Sequence, residues 1–200
     1  MLVLAGGSVK GAFQAGVIKA LAENGFQPDV IYGISAGSLN AAFLVNSLGQ
    51  QQLAGQAISF KQAADDLWDF WETRITRPDC LSKPLSIFEL GWTALTKKFK
   101  GLVSTQPLRD LMYEVISDRN LHASPVGLKI GAVNIMEGRI HYVDPSTPEF
   151  MEYLMASSAV PILMPVVKIN GEDRRSYLDG GLRDVTPIRR ALDEIGRAHV

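Results

Sequence analysis

Ser35 stands at the centre of Gly33-Ile34-Ser35-Ala36-Gly37, between an apolar run, Val30 to Ile34, and a small-residue stretch, Ala36 to Val45, that reads as a helix. A strand that turns sharply into a helix between two glycines pushes the serine hydroxyl out at the carboxyl end of a sheet, where a substrate carbonyl can reach it. The helix N-terminus behind the serine favours developing negative charge. Such a serine suits acyl transfer through a covalent intermediate. The alternative for the pentapeptide taken alone is a tight turn bounded by glycines.

Two further segments could serve the same chemistry. Upstream, Leu2-Val3-Leu4-Ala5 reads as a short strand feeding Gly6-Gly7-Ser8-Val9-Lys10-Gly11, and Ala12 to Asn24 as a helix with Phe13, Val17, Ile18 and Leu21 on one stripe. A glycine-rich turn before a helix presents backbone N–H groups that can cradle a phosphate or an oxyanion, although glycine also serves plain turn geometry. The spacing is not that of a Walker loop. Downstream, Tyr177-Leu178-Asp179-Gly180-Gly181 sets a carboxylate at the end of a strand; alone, Asp-Gly-Gly is a turn signal.

In this order the segments resemble the patatin-like phospholipase family. The matching residues are Gly6 to Gly16, the Gly33-Ile34-Ser35-Ala36-Gly37 elbow with Leu39-Asn40-Ala41 after it, Asp179-Gly180-Gly181, and Ala156-Ser157-Ser158-Ala159-Val160-Pro161 followed by Met164-Pro165. The resemblance runs from Leu2 to about Asp193. It implies a three-layer α/β/α fold with a mostly parallel central sheet, and a Ser35–Asp179 dyad in place of a triad. Ser35 would attack an ester carbonyl and Asp179 would take and return the proton. Backbone N–H groups of Gly6, Gly7, Ser8, Val9, Lys10 and Gly11 would hold the oxyanion. Gly33 and Gly37 would shape the elbow, and Gly180 and Gly181 the turn behind Asp179. Two positions depart from the commonest pattern. Ser8 replaces a third glycine, which strains it if the position needs positive φ, and Lys10 replaces an arginine.

Histidines test the dyad separately. In an α/β-hydrolase triad the order is Ser, Asp, His, so of His122, His141 and His199 only His199 follows Asp179. His122 and His141 read as surface or satisfied residues. Ile195-Gly196-Arg197-Ala198-His199-Val200 is what ATC-GGA-AGA-GCA-CAC-GTC encodes, the start of a common sequencing adapter. The expectation is therefore a domain over 1–193, incomplete at its C-terminus, with 194–200 a non-native tail, which removes His199.

Composition bounds the rest. With 200 residues and 46% apolar content, the chain can bury one core as a single domain. A net charge of −1 without a long Lys/Arg run leaves no electrostatic footprint for nucleic acid. Cys80 is the one cysteine, and no apolar stretch reaches 18 residues. Met1-Leu2-Val3-Leu4 lacks a basic leader, so no signal peptide is expected and the location is cytoplasmic or peripheral to a membrane. Neither a metal nor a cofactor is implied, for want of a Cys/His cluster or H-E-x-x-H.

Along the chain, early strand–helix alternation argues a parallel sheet covered on both faces, with hairpins at an edge. Gln50 to Thr73 reads as helical, Pro78, Pro84 and Gly91 as breaks in an irregular insertion over the active face, and Pro107 as the first turn of a helix over Leu108 to Ser117. Gly127 to Asn134 pairs with Gly138 to Val143, and Pro165 to Ile169 with Arg175 to Asp179. In the Trp68 to Lys100 segment, Phe88, Leu90, Trp92 and Leu95 precede Lys97, Lys98 and Lys100. These aromatics either pack inward or settle at a lipid surface. Three functions stay open: hydrolysis of phospholipid or lysophospholipid esters, hydrolysis of small esters or thioesters with a histidine in the site, and an anion or lipid-headgroup binding module in which Ser35 is idle.

Overall fold

The computed structural model describes residues 1–77, 81–85 and 102–198. In chain order the elements are β1 (Leu2–Leu4), α1 (Gly11–Glu23), β2 (Val30–Ile34), α2 (Ala36–Leu53), α3 (Phe60–Arg74), β3 (Lys83–Pro84) and β4 (Val103–Ser104). They continue with α4 (Gln106–Val115), α5 (Asp118–Ala123), β5 (Gly127–Asn134), β6 (Arg139–Val143), α6 (Phe150–Ser157), β7 (Val167–Lys168), β8 (Ser176–Asp179) and α7 (Ile188–Ala198).

The expected three-layer α/β/α architecture is the one observed. β1, β2 and β5 form the parallel heart of a six-stranded sheet, to which β6, β8 and β7 add antiparallel pairings. Ile31, Tyr32 and Ile34 of β2 are almost wholly buried, as a parallel strand covered on both faces requires. α2 and α6 lie on one face, where Leu44, Val45, Leu48 and Leu154 meet Leu128 and Ile130 in the core. On the other face α7 is tied down by polar contacts. Glu194 accepts from the Tyr32 hydroxyl and from Lys129 Nζ (3.2 Å), and Arg190 lies over the Tyr142 ring.

The register of β5 explains how distant residues meet. β2 pairs with its first half, ending at Ile34 opposite Gly131; β8 pairs with its second half in the reverse direction, ending at Asp179 opposite Ala132. β6 occupies the other edge of the same residues. The carboxyl ends of β2 and β8 therefore face each other along one edge. Any residue just past Ile34 must lie beside Asp179.

Two helical readings need correction. Gln50 to Thr73 is not one helix: α2 ends at Leu53, Gly55 turns the chain at φ 66°, and α3 starts from the Ser59 cap, whose hydroxyl accepts from the Gln62 N–H at 3.2 Å. The buried stripe of α1 is Gly11, Ala15, Ile18 and Ala22, while Phe13 is 76% exposed and Val17 and Leu21 are also exposed. α1 packs on α3, where the Trp68 and Trp71 rings fill the interface, so small residues must face them. A Cβ at Gly11 would come within 2.6 Å of the Trp71 ring. The Pro107 helix falls at Gln106–Val115, and both predicted hairpins form. Phe88, Leu90, Trp92, Leu95 and the lysines at 97, 98 and 100 lie outside the described residues. Trp68, Phe70 and Trp71 pack inward.

Candidate active site

The turn at Ser35 is tight because two glycines let backbones touch. A Cβ at Gly33 would lie 2.5 Å from Ser38 Cα, and one at Gly37 would lie 2.4 Å from the Leu4 carbonyl oxygen. Any side chain at either position would push α2 off the sheet. Ser35 itself is held at φ 54°, ψ −125°, a strained backbone for an L-residue and the one a strand-to-helix elbow demands. Its N–H donates to Ser157 Oγ at 3.1 Å, and that hydroxyl donates onward to the Gly131 carbonyl at 2.7 Å. Ser157, fully buried, thus fastens the elbow to β5.

The Ser35 hydroxyl donates to Asp179 Oδ2 at 2.7 Å. The other carboxylate oxygen, Oδ1, accepts from the Gly181 N–H at 2.7 Å, and the Asp179 N–H donates to the Ala159 carbonyl at 3.0 Å. Gly180 and Gly181 open the short 3₁₀ turn that brings this N–H round. Both members of the pair are buried, Ser35 at 7% and Asp179 at 6% exposure. Burial pushes the Asp179 carboxyl above the ordinary carboxylate range, with the bonds from Ser35 and Gly181 pulling the other way. The Asp179 carboxylate is therefore more basic than a surface aspartate, and it accepts from one serine hydroxyl.

Neither described histidine enters the site. His141 bonds to the Tyr177 hydroxyl (3.0 Å) and Glu137 (2.9 Å), and His122 to the Asp118 carbonyl (2.9 Å). His199 lies outside the described residues.

The glycine loop passes beside the elbow: a Cβ at Gly6 would lie 3.2 Å from Ser35 Cβ. Its N–H groups divide into two sets. Gly6 donates to the Val185 carbonyl at 2.8 Å, Lys10 to Gly7 at 3.0 Å, and Gly11 to Ser8 and Val9. No described residue accepts from the N–H of Gly7, Ser8 or Val9. Ser8 sits at φ 50°, so the position does ask for positive φ and the serine there carries strain. Lys10 is exposed at the end of the turn.

Sequence reasoning singled out Asn40 only as part of a motif, and its role is positional. Asn40 Nδ2 donates to the Gly11 carbonyl (3.0 Å) and Gln14 Oε1 (3.1 Å), while Oδ1 accepts from Trp71 Nε1 (2.8 Å). Gln14 Nε2 in turn donates to the Ala5 carbonyl at 2.7 Å. One buried amide therefore joins the loop, the elbow helix and α3. Ser35 borders a cavity lined mainly by apolar residues of α2, α3 and α4, among them Leu39, Phe43, Leu67, Phe70, Leu108 and Met112. Among the described residues no group of histidine, cysteine and carboxylate side chains could hold a metal ion, and no helix is long and apolar enough to cross a membrane.

The chain is similar to several known proteins. Lysophospholipase nte1 of Aspergillus terreus is 39% identical over 69 residues, and that of Aspergillus niger 41% over 69; the stretch is 34% of this chain and 4% of each of those proteins. The chain thus spans a small part of the length of these curated relatives. The crystal structure of VipD from Legionella pneumophila superposes with a TM-score of 0.48 at 14% identity, covering 92% of this chain and 46% of that one. The family description "Patatin-like phospholipase" matches residues 2–192. The chain belongs to the patatin-like phospholipase family.

Proposed function

We propose that the chain is a serine acyl hydrolase that cleaves carboxylic ester bonds of phospholipid or lysophospholipid with Ser35 as nucleophile and Asp179 as base. Attack of Ser35 Oγ on the ester carbonyl passes the hydroxyl proton to Asp179 Oδ2 and gives a tetrahedral oxyanion. The N–H groups of Gly7, Ser8 and Val9 are the donors left to receive it, each such bond contributing about 3 kcal/mol in comparable sites. Asp179 returns the proton to the leaving alcohol, then takes one from water as the acyl-serine is hydrolysed. The lipid hydrolase names of the family and of the nte1 relatives point to the same substrate class.

The observation that carries this reading is the 2.7 Å bond between two buried side chains, of which Ser35 also lines an apolar cavity. An idle serine in an anion-binding module would have no need of a buried carboxylate, which repels anions. A membrane-surface contact fits a lipid substrate and belongs to the same proposal. The test is labelling with an alkyl fluorophosphonate followed by peptide mapping. The expected adduct is on Ser35, absent in Ser35→Ala together with ester hydrolysis; an adduct on another serine, or full activity in that variant, overturns the reading.

A further inference from the structure

The strands that carry the candidate pair meet end to end on β5 and leave a seam there. The β2 ladder ends with Ile34 opposite Gly131, and the β8 ladder ends with Asp179 opposite Ala132, the next residue of β5. Ser157 bonds into this seam. Its hydroxyl donates to the Gly131 carbonyl at 2.7 Å and accepts from the Ser35 N–H at 3.1 Å, so one oxygen bridges β5 and the first residue past β2.

The same short segment holds the other member of the pair. The Ala159 carbonyl accepts from the Asp179 N–H at 3.0 Å. Ser157 closes α6, and the N–H groups of Ser158 and Ala159 donate to the Met155 and Ala156 carbonyls, so the turn that leaves the helix is tied to the helix itself. α6 in turn packs on both β5 and β8. All four residues, Ser35, Ser157, Ala159 and Asp179, are buried. One piece of chain therefore touches the backbones of both Ser35 and Asp179.

That contact matters at Ser35 because its backbone is strained. A residue at φ 54°, ψ −125° keeps that conformation only where its surroundings over-determine it. Gly33 and Gly37 permit the tight turn, but a missing side chain cannot dictate where Ser35 points. The peptide plane between Ile34 and Ser35 does, and Ser157 holds that plane by its N–H.

We propose that Ser157 is a positioning residue for the nucleophile: acting through the Ser35 N–H, its hydroxyl keeps Ser35 Oγ in line with Asp179 Oδ2, while Ala159 holds Asp179 from the same turn. Ser157 takes no part in bond making, since its oxygen is engaged by Ser35 and its proton by Gly131. The inference rests on the hydrolase reading above and adds a residue that acts through Ser35.

The experiment compares the parent with Ser157→Ala and Ser157→Cys. For each, kcat and KM for p-nitrophenyl butyrate and the rate of fluorophosphonate labelling at Ser35 are measured at one temperature below every melting midpoint. Alanine removes both bonds; cysteine fills the space with a thiol that donates and accepts weakly. Both variants should lose about tenfold to a hundredfold in kcat, as small displacements of a reacting group do, with KM changed by less than about threefold. The labelling rate should fall with kcat. A cysteine variant as active as the parent shows that Ser157 only fills space and overturns the proposal. So does a folded alanine variant that melts lower yet keeps kcat and labelling rate within about twofold, or a loss confined to KM. If the alanine variant does not fold, the cysteine variant decides by the same measures. A parent that neither hydrolyses the ester nor labels at Ser35 overturns the hydrolase reading, and this inference with it.

Discussion

In the proposed mechanism Asp179 meets two opposite demands. As the base it must be ionised; as a buried group it resists ionisation, and burial raises its pKa in the folded state. The sign of the stability effect follows. The neutral carboxyl's contribution is complete below the unfolded carboxylate range, near 4, and is lost as pH rises through the higher folded value, so at pH 7 the fold bears the cost of a buried charge. Asp179→Asn removes that cost while keeping an oxygen for the Gly181 N–H. We expect it to melt no lower than the parent at pH 7, with any advantage shrinking as pH falls toward 4, and to lose about 10² to 10⁴ in ester turnover. The parent's own rate should fall on the acid side at a pH above the ordinary carboxylate range. Thermal melts and initial rates across pH 4–8 decide it: a variant that keeps its rate takes Asp179 out of the mechanism.

At the level of elements, strongly local signals were legible in the sequence. Gly33 and Gly37 flag a strand meeting a helix because no other residue lets those backbones approach, and Asp179-Gly180-Gly181 encodes its own turn. What escaped was set by partners. The hydrophobic periodicity of α1 points to Phe13, Val17, Ile18 and Leu21, yet only Ile18 of these is buried, beside Gly11, Ala15 and Ala22, and the tryptophan rings of α3 lie against Gly11 and Gly16. Likewise nothing local announces that Ser157 fastens the elbow, because its acceptor comes from β5 and its donor from Ser35, between β2 and α2. The glycine loop offers a test of local cost. An L-residue in left-handed backbone pays about 1–2 kcal/mol, and the greater freedom of unfolded glycine returns about 0.5–1 kcal/mol of that. Ser8→Gly should therefore stabilise the fold by about 0.5–1 kcal/mol, or about 1–4 °C in melting temperature for a domain of this size. A midpoint at or below the parent's would show that the Ser8 side chain offsets its backbone strain.

Over the whole molecule, the site depends on pieces that the sheet alone does not align. The head-to-head meeting of β2 and β8 on β5 fixes Ser35 against Asp179, but the glycine loop follows β1, one strand away, and its distance from Ser35 must be set by something else. The Asn40 amide is the connection that spans that gap, since it holds Gly11 and Gln14 on the loop side and Trp71 on the α3 side. Asn40→Ala would leave the half-buried Trp71 Nε1 and its other partners unsatisfied, at about 1–3 kcal/mol of stability, and would free the loop amides to drift from the proposed oxyanion position. We expect kcat to fall about tenfold to a hundredfold, within the range of losing part of one oxyanion donor, with a smaller change in KM for a p-nitrophenyl ester. Trp71→Phe removes one bond of the same network and keeps the ring, so it should cost less. Because the two residues share that bond, the double variant should lose less than the sum of the singles by about 0.5–3 kcal/mol in kcat/KM. A purely structural role for Asn40 would lower the melting temperature and leave kcat at 25 °C unchanged. That outcome, or strict additivity in the cycle, would mean that the loop keeps its place beside Ser35 by the Gly6–Val185 backbone bond and not through the amide.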